Sequence, residues 1–105
     1  MASIKTHCED CERILGGSYK EVHEWLDEYA KKYPPQIYFE YHRNFRHNAK
    51  AIEHLGFYSK LAAKIHIIRD CDRYLTTPFY KINEIKDIES LFNELDKNNI
   101  FKYER

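Results

Sequence analysis

Chain breakers are scarce in this sequence: 3 glycines and 3 prolines among 105 residues. Few breakers means few tight turns, which disfavours a fold of many short strands and favours long elements. Cysteine is scarce too. The 3 cysteines, an odd number, cannot close a disulfide framework, so the thiols are read as reduced and the chain as cytoplasmic. Charge of one sign is missing, because Lys plus Arg and Asp plus Glu each number 17 and the formal net charge is zero. That argues against a protein that coats extended nucleic acid with positive charge, although a local basic patch stays open. No apolar run approaches the roughly 20 residues of a membrane span. The segment Met1–Thr6 has no signal-peptide core. Internal repeats, low-complexity tracts, linkers, a glycine-rich phosphate loop and a spaced Ser-His-Asp or Cys-His nucleophile are all absent.

What is present suits one core. Hydrophobic residues make up 43% of the chain and aromatics 15%, enough for a single domain over residues 1–105. The 32% that is charged must lie largely on solvated helix faces. The pattern predicts a mostly α fold, a compact bundle of four or five helices. The first runs from Ile4 to Leu15 and stops at Gly16-Gly17, where glycine takes the left-handed cap conformation at no steric cost. Ser18 and Glu21 have capping-box spacing for a second helix, striped by Val22, Trp25, Leu26 and Tyr29 and ended by Pro34-Pro35. A third, the longest, is expected from Gln36 to Leu55 on Tyr38, Tyr41, Phe45, Ala49, Ile52 and Leu55. A fourth is expected from Ser59 to Leu75, with Leu61, Ile65, Ile68 and Leu75 on one face. Ala63 and Ile67 add apolar groups elsewhere around it, as in a central helix. The last covers Glu84 to Lys97 with Ile85, Ile88, Phe92 and Leu95. Phe79–Ile82 and Ile100–Tyr103 have the composition of a short β-ribbon near the C-terminus.

Chemistry concentrates in six histidines, at positions 7, 23, 42, 47, 54 and 66. His23 with Asp27, and His66 with Asp70, stand four apart and so share a helical face. At helical pitch both pairs lie well off the centre of their apolar stripes. His42 falls nearer its helix's apolar side and His47 nearer the opposite one. Helices that each contribute a histidine or carboxylate build metal sites inside bundles, and imidazole with carboxylate suits Zn, Mn or Fe(II). The candidate metal set is His23, Asp27, His42, His66 and Asp70. The competing reading is that these histidines are surface groups, or are hydrogen-bonded to aspartate to fix the fold. Cys8 and Cys11 form a lone C-x-x-C inside a predicted helix, without a second pair to complete a zinc knuckle, so free thiols are expected. The run Tyr41-His42-Arg43-Asn44-Phe45-Arg46-His47, with Lys50, is the strongest basic patch. Arginine forks match phosphate oxygens, although the same charges can pair with Glu40 and Glu53 on a solvated face.

In order and spacing, these residues resemble a family of small bacterial and phage proteins catalogued as a domain of unknown function. The family pattern has an early histidine, a Gly-Gly, an I-H-x-W-x-D segment, an R-H-R-x-x-x-x-H segment and a Q-H-x-x-x-D segment. Here the matching positions are His7, Gly16-Gly17, Val22-His23-Glu24-Trp25-Leu26-Asp27, His42-Arg43, His47, and His66 with Asp70. The likeness spans residues 7–77, with a gap near Gly56–Leu61. Tyr41 stands where the family has its first arginine, Ile65 where it has glutamine, and the last thirty residues have no counterpart. The resemblance implies that His7, His23, Asp27, His42, Arg43, His47, His66 and Asp70 belong to one site or polar core. It implies no activity, and it raises a phage accessory or anti-defence role.

Three function classes remain open from sequence. The first is a binding module in which His7, Trp25, His42, Arg43, Arg46 and His47 hold a small anionic ligand, a nucleotide or phosphate ester, for example by sequestering a signalling nucleotide. The second is a metal-dependent phosphoester hydrolase, with Asp27 behind the ligands or acting as base. The third is a protein-interaction domain with structural histidines. Small bundles often dimerise, so a homodimer is one partner reading.

Overall fold

A computed structural model gives the fold and describes residues 3–28, 46–98 and 100. The architecture is the mostly α bundle that the periodicity predicts, and no strand occurs among the described residues. Its helices are α1 (Ile4–Leu15), α2 (Lys20–Leu26), α3 (Ala49–Ile52), α4 (Phe57–Asp70) and α5 (Ile85–Lys97). Single 3-10 turns cover Asp72–Tyr74 and Phe79–Lys81. No described helix is long and apolar enough to cross a membrane.

Helix α4 is the hub. Leu61, Ala62, Ala63, Ile65, His66, Ile67 and Ile68 are all buried, so its apolar surface runs most of the way round, as a central helix requires. It packs against α1, α2 and α5. Ala62 and Ala63 have no bulk to hold neighbours off, and both are fully covered. Helix α5 is amphipathic instead: Ile88, Phe92 and Leu95 are buried while Ile85 is partly exposed. Lys64 pins α5 to α4 by reaching Glu89 at 2.8 Å and lying over the Phe92 ring. Helix α1 begins at Ser3, whose hydroxyl accepts from the Thr6 N–H, and ends at Gly16 with φ 86°. Its buried residues are His7, Asp10 and Cys11, so the face it turns inward is largely polar.

That polar face is anchored by Arg13. Its guanidinium donates to Asp10 at 3.0 Å, to the carbonyls of Phe79 and Ile82 at 3.2 Å each, and to Asn83 at 3.0 Å. Arg69 adds a 3.6 Å contact to the other Asp10 oxygen. Both guanidinium groups lie over the Phe79 ring.

Several sequence expectations need correction. The Ser18–Glu21 capping box does not form. Tyr19 precedes α2 in the left-handed region (φ 53°, ψ 40°) with no side-chain cap, its ring packed on the core, while the Ser18 carbonyl is used by His23. Helix α2 stops at Leu26, because Asp27 leaves helical geometry (φ -97°, ψ 7°). The long third helix is broken within its described part. Asn48 is extended (φ -151°, ψ 166°) and accepts from the Ala51 N–H at 2.9 Å, starting α3 afresh, while residues 36–45 lie outside the described residues. Helix α4 starts at Phe57, with Gly56 as its cap residue, and ends at Asp70, because the chain tightens into the 3-10 turn before Leu75. The proposed ribbon strand Phe79–Ile82 is instead a 3-10 turn leading into Ile82, its carbonyls taken by Arg13 rather than by a partner strand. Residues 101–103 lie outside the described residues.

Candidate metal centre

Two aspartates and two histidines converge where the end of α2, the turn before α3 and the end of α4 meet. One donor atom each from Asp27, His47, His66 and Asp70 lies within 4.8 Å of the others. The His66 Nε2 atom is 3.2 Å from Asp27 Oδ1 and 3.4 Å from Asp70 Oδ2. The His47 Nε2 atom is 3.7 Å from Asp27 Oδ1 and 3.4 Å from Asp70 Oδ2. Local breaks in helical geometry place two of the four donors. Asp27 is the residue that ends α2, and His47 precedes the Asn48 cap. The other two, His66 and Asp70, are one turn apart on α4, as their spacing requires.

A column of histidines backs the cluster. His7 stacks on His66 with ring centroids 3.6 Å apart and planes at 18°, and His47 meets His66 edge-on at 5.0 Å. His23 lies on the far side of His66. Its Nε2 is 3.0 Å from the Ser18 carbonyl and its Nδ1 is 3.1 Å from His66 Nδ1. His7, His23 and His66 are fully buried.

These contacts fix the tautomers in sequence. A carbonyl only accepts, so His23 Nε2 carries a proton. Burial, with the charges of His66 and His7, lowers the His23 pKa to about 4, so the ring is neutral near pH 7 and its Nδ1 is a bare acceptor. His66 Nδ1 must then donate to it. A neutral His66 therefore points the lone pair of Nε2 at two carboxylate oxygens. That arrangement is repulsive unless a positive charge sits between them, either a proton on His66 or a metal cation. In the protein without metal, burial opposes the charged ring, but hydrogen bonds to Asp27 and Asp70 outweigh it and raise the His66 pKa. Burial likewise works against an ionised Asp70, but the close ring nitrogens of His47, His66 and His7 outweigh it and hold the carboxyl far below the usual range.

The sequence-predicted residues are distributed as follows. Asp27, His66 and Asp70, from the candidate metal set, are in the cluster. His23 is one ring behind it, and its two ring nitrogens go to Ser18 and His66 rather than to Asp27. His47, assigned from sequence to the anion-binding set, contributes to the cluster. His7, from the same set, places Nε2 3.2 Å from Asp70 Oδ1. His42 and Arg43 lie outside the described residues. Arg46 forms an ion pair with Glu28, donates to the Trp25 carbonyl at 2.7 Å and covers the Trp25 ring at 4.4 Å, so its charge is already engaged. Trp25 also meets His54 edge-on at 5.5 Å. His23, Asp27 and His66 are buried and the Asp70 side chain is almost wholly covered, because neighbouring elements close over the faces that the stripes leave.

Sequence reasoning missed the position of His47 and the buried Asp10. Asn48 is a strong N-cap type and was the available sign that the helix restarts there. The thiols of Cys8 and Cys11 are free, and burial, with Asp10 beside it, pushes Cys11 up to about 12.

The cluster can hold a metal ion or a ligand. No protein-family model matches the chain, and neither curated proteins nor solved structures show a significant relative.

Proposed function

We propose that this chain is a metal-binding helical protein in which Asp27, His47, His66 and Asp70 hold one divalent transition-metal ion, zinc being the best match. The observation that carries this reading is the lone pair on His66 Nε2. The Ser18–His23–His66 chain of hydrogen bonds aims it at Asp27 and Asp70, where either a proton on His66 or a metal cation relieves it. The bond from His66 Nδ1 to His23 is the kind that orients a ligating imidazole and raises its basicity.

Three further features support the assignment. For metal–ligand bonds of about 2.0–2.1 Å, a tetrahedron has edges of about 3.3 Å. The four nitrogen–oxygen separations, 3.2, 3.4, 3.4 and 3.7 Å, bracket that value, and all six edges are within 4.8 Å. A divalent ion cancels the two carboxylate charges of Asp27 and Asp70 against two neutral imidazoles, which leaves no net charge in a buried place. The donors are two nitrogens and two oxygens, a set that zinc, manganese and iron accept. With four protein donors among the described residues and little exposure, the centre reads as a closed one that joins α2, the turn before α3 and α4. A water-activating site would keep a position open.

Equilibrium dialysis of the purified chain against Zn(II) tests the reading. The expected result is one zinc per chain. Retention should collapse in Asp70→Asn and in His47→Ala, with helical circular dichroism retained. A folded wild-type chain that retains no zinc, or zinc lost on alkylating the cysteines, overturns it.

A further inference from the structure

Away from the metal centre, two cavities lie on either side of Leu91, between α5 and the chain from Tyr74 to Ile82. The one toward the start of α5, of about 290 Å³, is lined by both Lys81 and Asp87, charges of opposite sign that select no one ligand. The one at the end of α5, of about 230 Å³, is different. Leu75, Leu91, Leu95 and Ile100 give it apolar walls, Tyr74 adds a ring, and Glu94 is the one charged side chain among its described walls. The Ile100 N–H donates to the Leu95 carbonyl at 3.0 Å, which turns the chain back after α5 and seats Ile100 against the core.

Three features give this cavity one sign of charge. Glu94 is exposed, and among the described residues no ion pair or hydrogen bond engages its carboxylate. Helix α5 ends at Lys97, so the cavity lies beside its last turn, where the helix dipole is negative and cations are favoured. An aromatic ring attracts a cation to its face, and Tyr74 already does so: Arg73 lies 5.0 Å from its centroid and donates to its hydroxyl at 3.2 Å. Arg73 and Lys97 are the adjoining positive charges in sequence, and neither lines the cavity. An anion would meet Glu94, and a bare metal ion would leave the apolar walls unused. We infer that the cavity at the end of α5 binds a small organic cation, a primary ammonium on an apolar body. Glu94 meets the ammonium, and Leu75, Leu91 and Ile100 cover the body. The volume is below the roughly 300–1,000 Å³ of a site for a drug-sized ligand, so the occupant is a small free amine. The cavity shares no residue with the metal centre, so the two assignments stand or fall independently.

Phenethylammonium is the probe, with 2-phenylethanol and 3-phenylpropionate as neutral and anionic controls of nearly the same shape. Backbone amide NMR of the full chain should show shifts at Leu91, Leu95, Asn98 and Ile100, with a dissociation constant on the order of 1 mM, as a ligand of this size gives. The alcohol should bind about threefold to fivefold more weakly, the usual worth of one exposed ion pair, and the propionate more weakly still. Glu94→Gln changes an exposed side chain and should keep the fold. It should lower the affinity for the cation by the same factor of about three to five and leave that for the alcohol unchanged. No shifts at these amides at about 10 mM probe, equal binding of the three probes, or an unchanged preference for the cation in Glu94→Gln overturns the inference. Zinc uptake by the same sample is read separately, and its failure bears on the metal centre alone.

Discussion

Replacing His23 isolates the role of the histidine column, because His23 touches none of the four donors' cation-facing atoms. His23→Leu keeps most of the volume but removes the acceptor for His66 Nδ1 and the donor to the Ser18 carbonyl. A buried donor left unmet costs about 1–3 kcal/mol, and the part-buried carbonyl about 1 kcal/mol more, for a total of about 2–4 kcal/mol. At about 4–8 °C per kcal/mol for a domain of this size, the melting temperature should fall by roughly 10–30 °C. Zinc affinity should fall too, by about 10–100-fold, because the His66 ring loses its orienting bond. Thermal melts without metal and a competition titration with a chromophoric chelator measure the two effects separately. His23→Gln, whose amide both accepts and donates, should recover part of each. If His23→Leu melts within about 2 °C of wild type and binds zinc equally well, the hydrogen-bond chain does not set the tautomer of His66 and the reasoning fails.

His23 also makes stability pH-dependent. Its pKa falls from 6.5 to about 4 on folding, so below 6.5 the unfolded chain binds a proton that the folded chain refuses. Metal-free wild type should therefore lose stability as pH drops from 6.5 toward 4, and His23→Gln should lose less, read by urea unfolding at each pH. Cys11 predicts the alkaline side. With its pKa raised from 9.0 to about 12, its contribution is present below 9.0 and is lost as pH rises toward 12, so Cys11→Ala should flatten that decline. Arg13→Met leaves Asp10 with the longer Arg69 contact alone. The usual cost of breaking a buried pair is about 3–5 kcal/mol, but the Arg13 side chain is 30% exposed and Arg69 remains, so about 2 kcal/mol is expected by chemical denaturation, with partial recovery in Arg13→Met/Asp10→Asn. Gly16→Ala meets no atom within 4 Å, so only the left-handed backbone (φ 86°) opposes it, and the loss should be about 1 kcal/mol.

The sequence was most informative where one local rule acted alone. Ile4–Leu15 ends at Gly16 because glycine relieves the left-handed cap, and α5 follows its apolar spacing within a residue of each expected boundary. It was least informative where side chains bonded across the fold. No local rule shows that Ser18 gives its carbonyl to His23 instead of capping α2, or that Arg13 takes the carbonyls of Phe79 and Ile82 and leaves a 3-10 turn where a strand was expected. The candidate site was half legible for the same reason. The i, i+4 spacing of His66 and Asp70 marks a shared face on α4. The pairing of Asp27 with His66 joins positions 39 apart, and His47 joins them only because the chain breaks before Asn48. Periodicity treats a helix as unbroken, so it turned His47 outward, when the break points it in.

X-ray absorption at the zinc edge of the loaded chain tests the metal centre most directly, because it counts donors by element and distance. Two histidines and two carboxylates require a shell of four nitrogen and oxygen atoms at about 2.0–2.1 Å, with imidazole scattering and no sulfur. A sulfur shell at about 2.3 Å would move the metal to the cysteines, and a six-atom shell of light donors without imidazole would place it on the surface; either contradicts a centre built from Asp27, His47, His66 and Asp70.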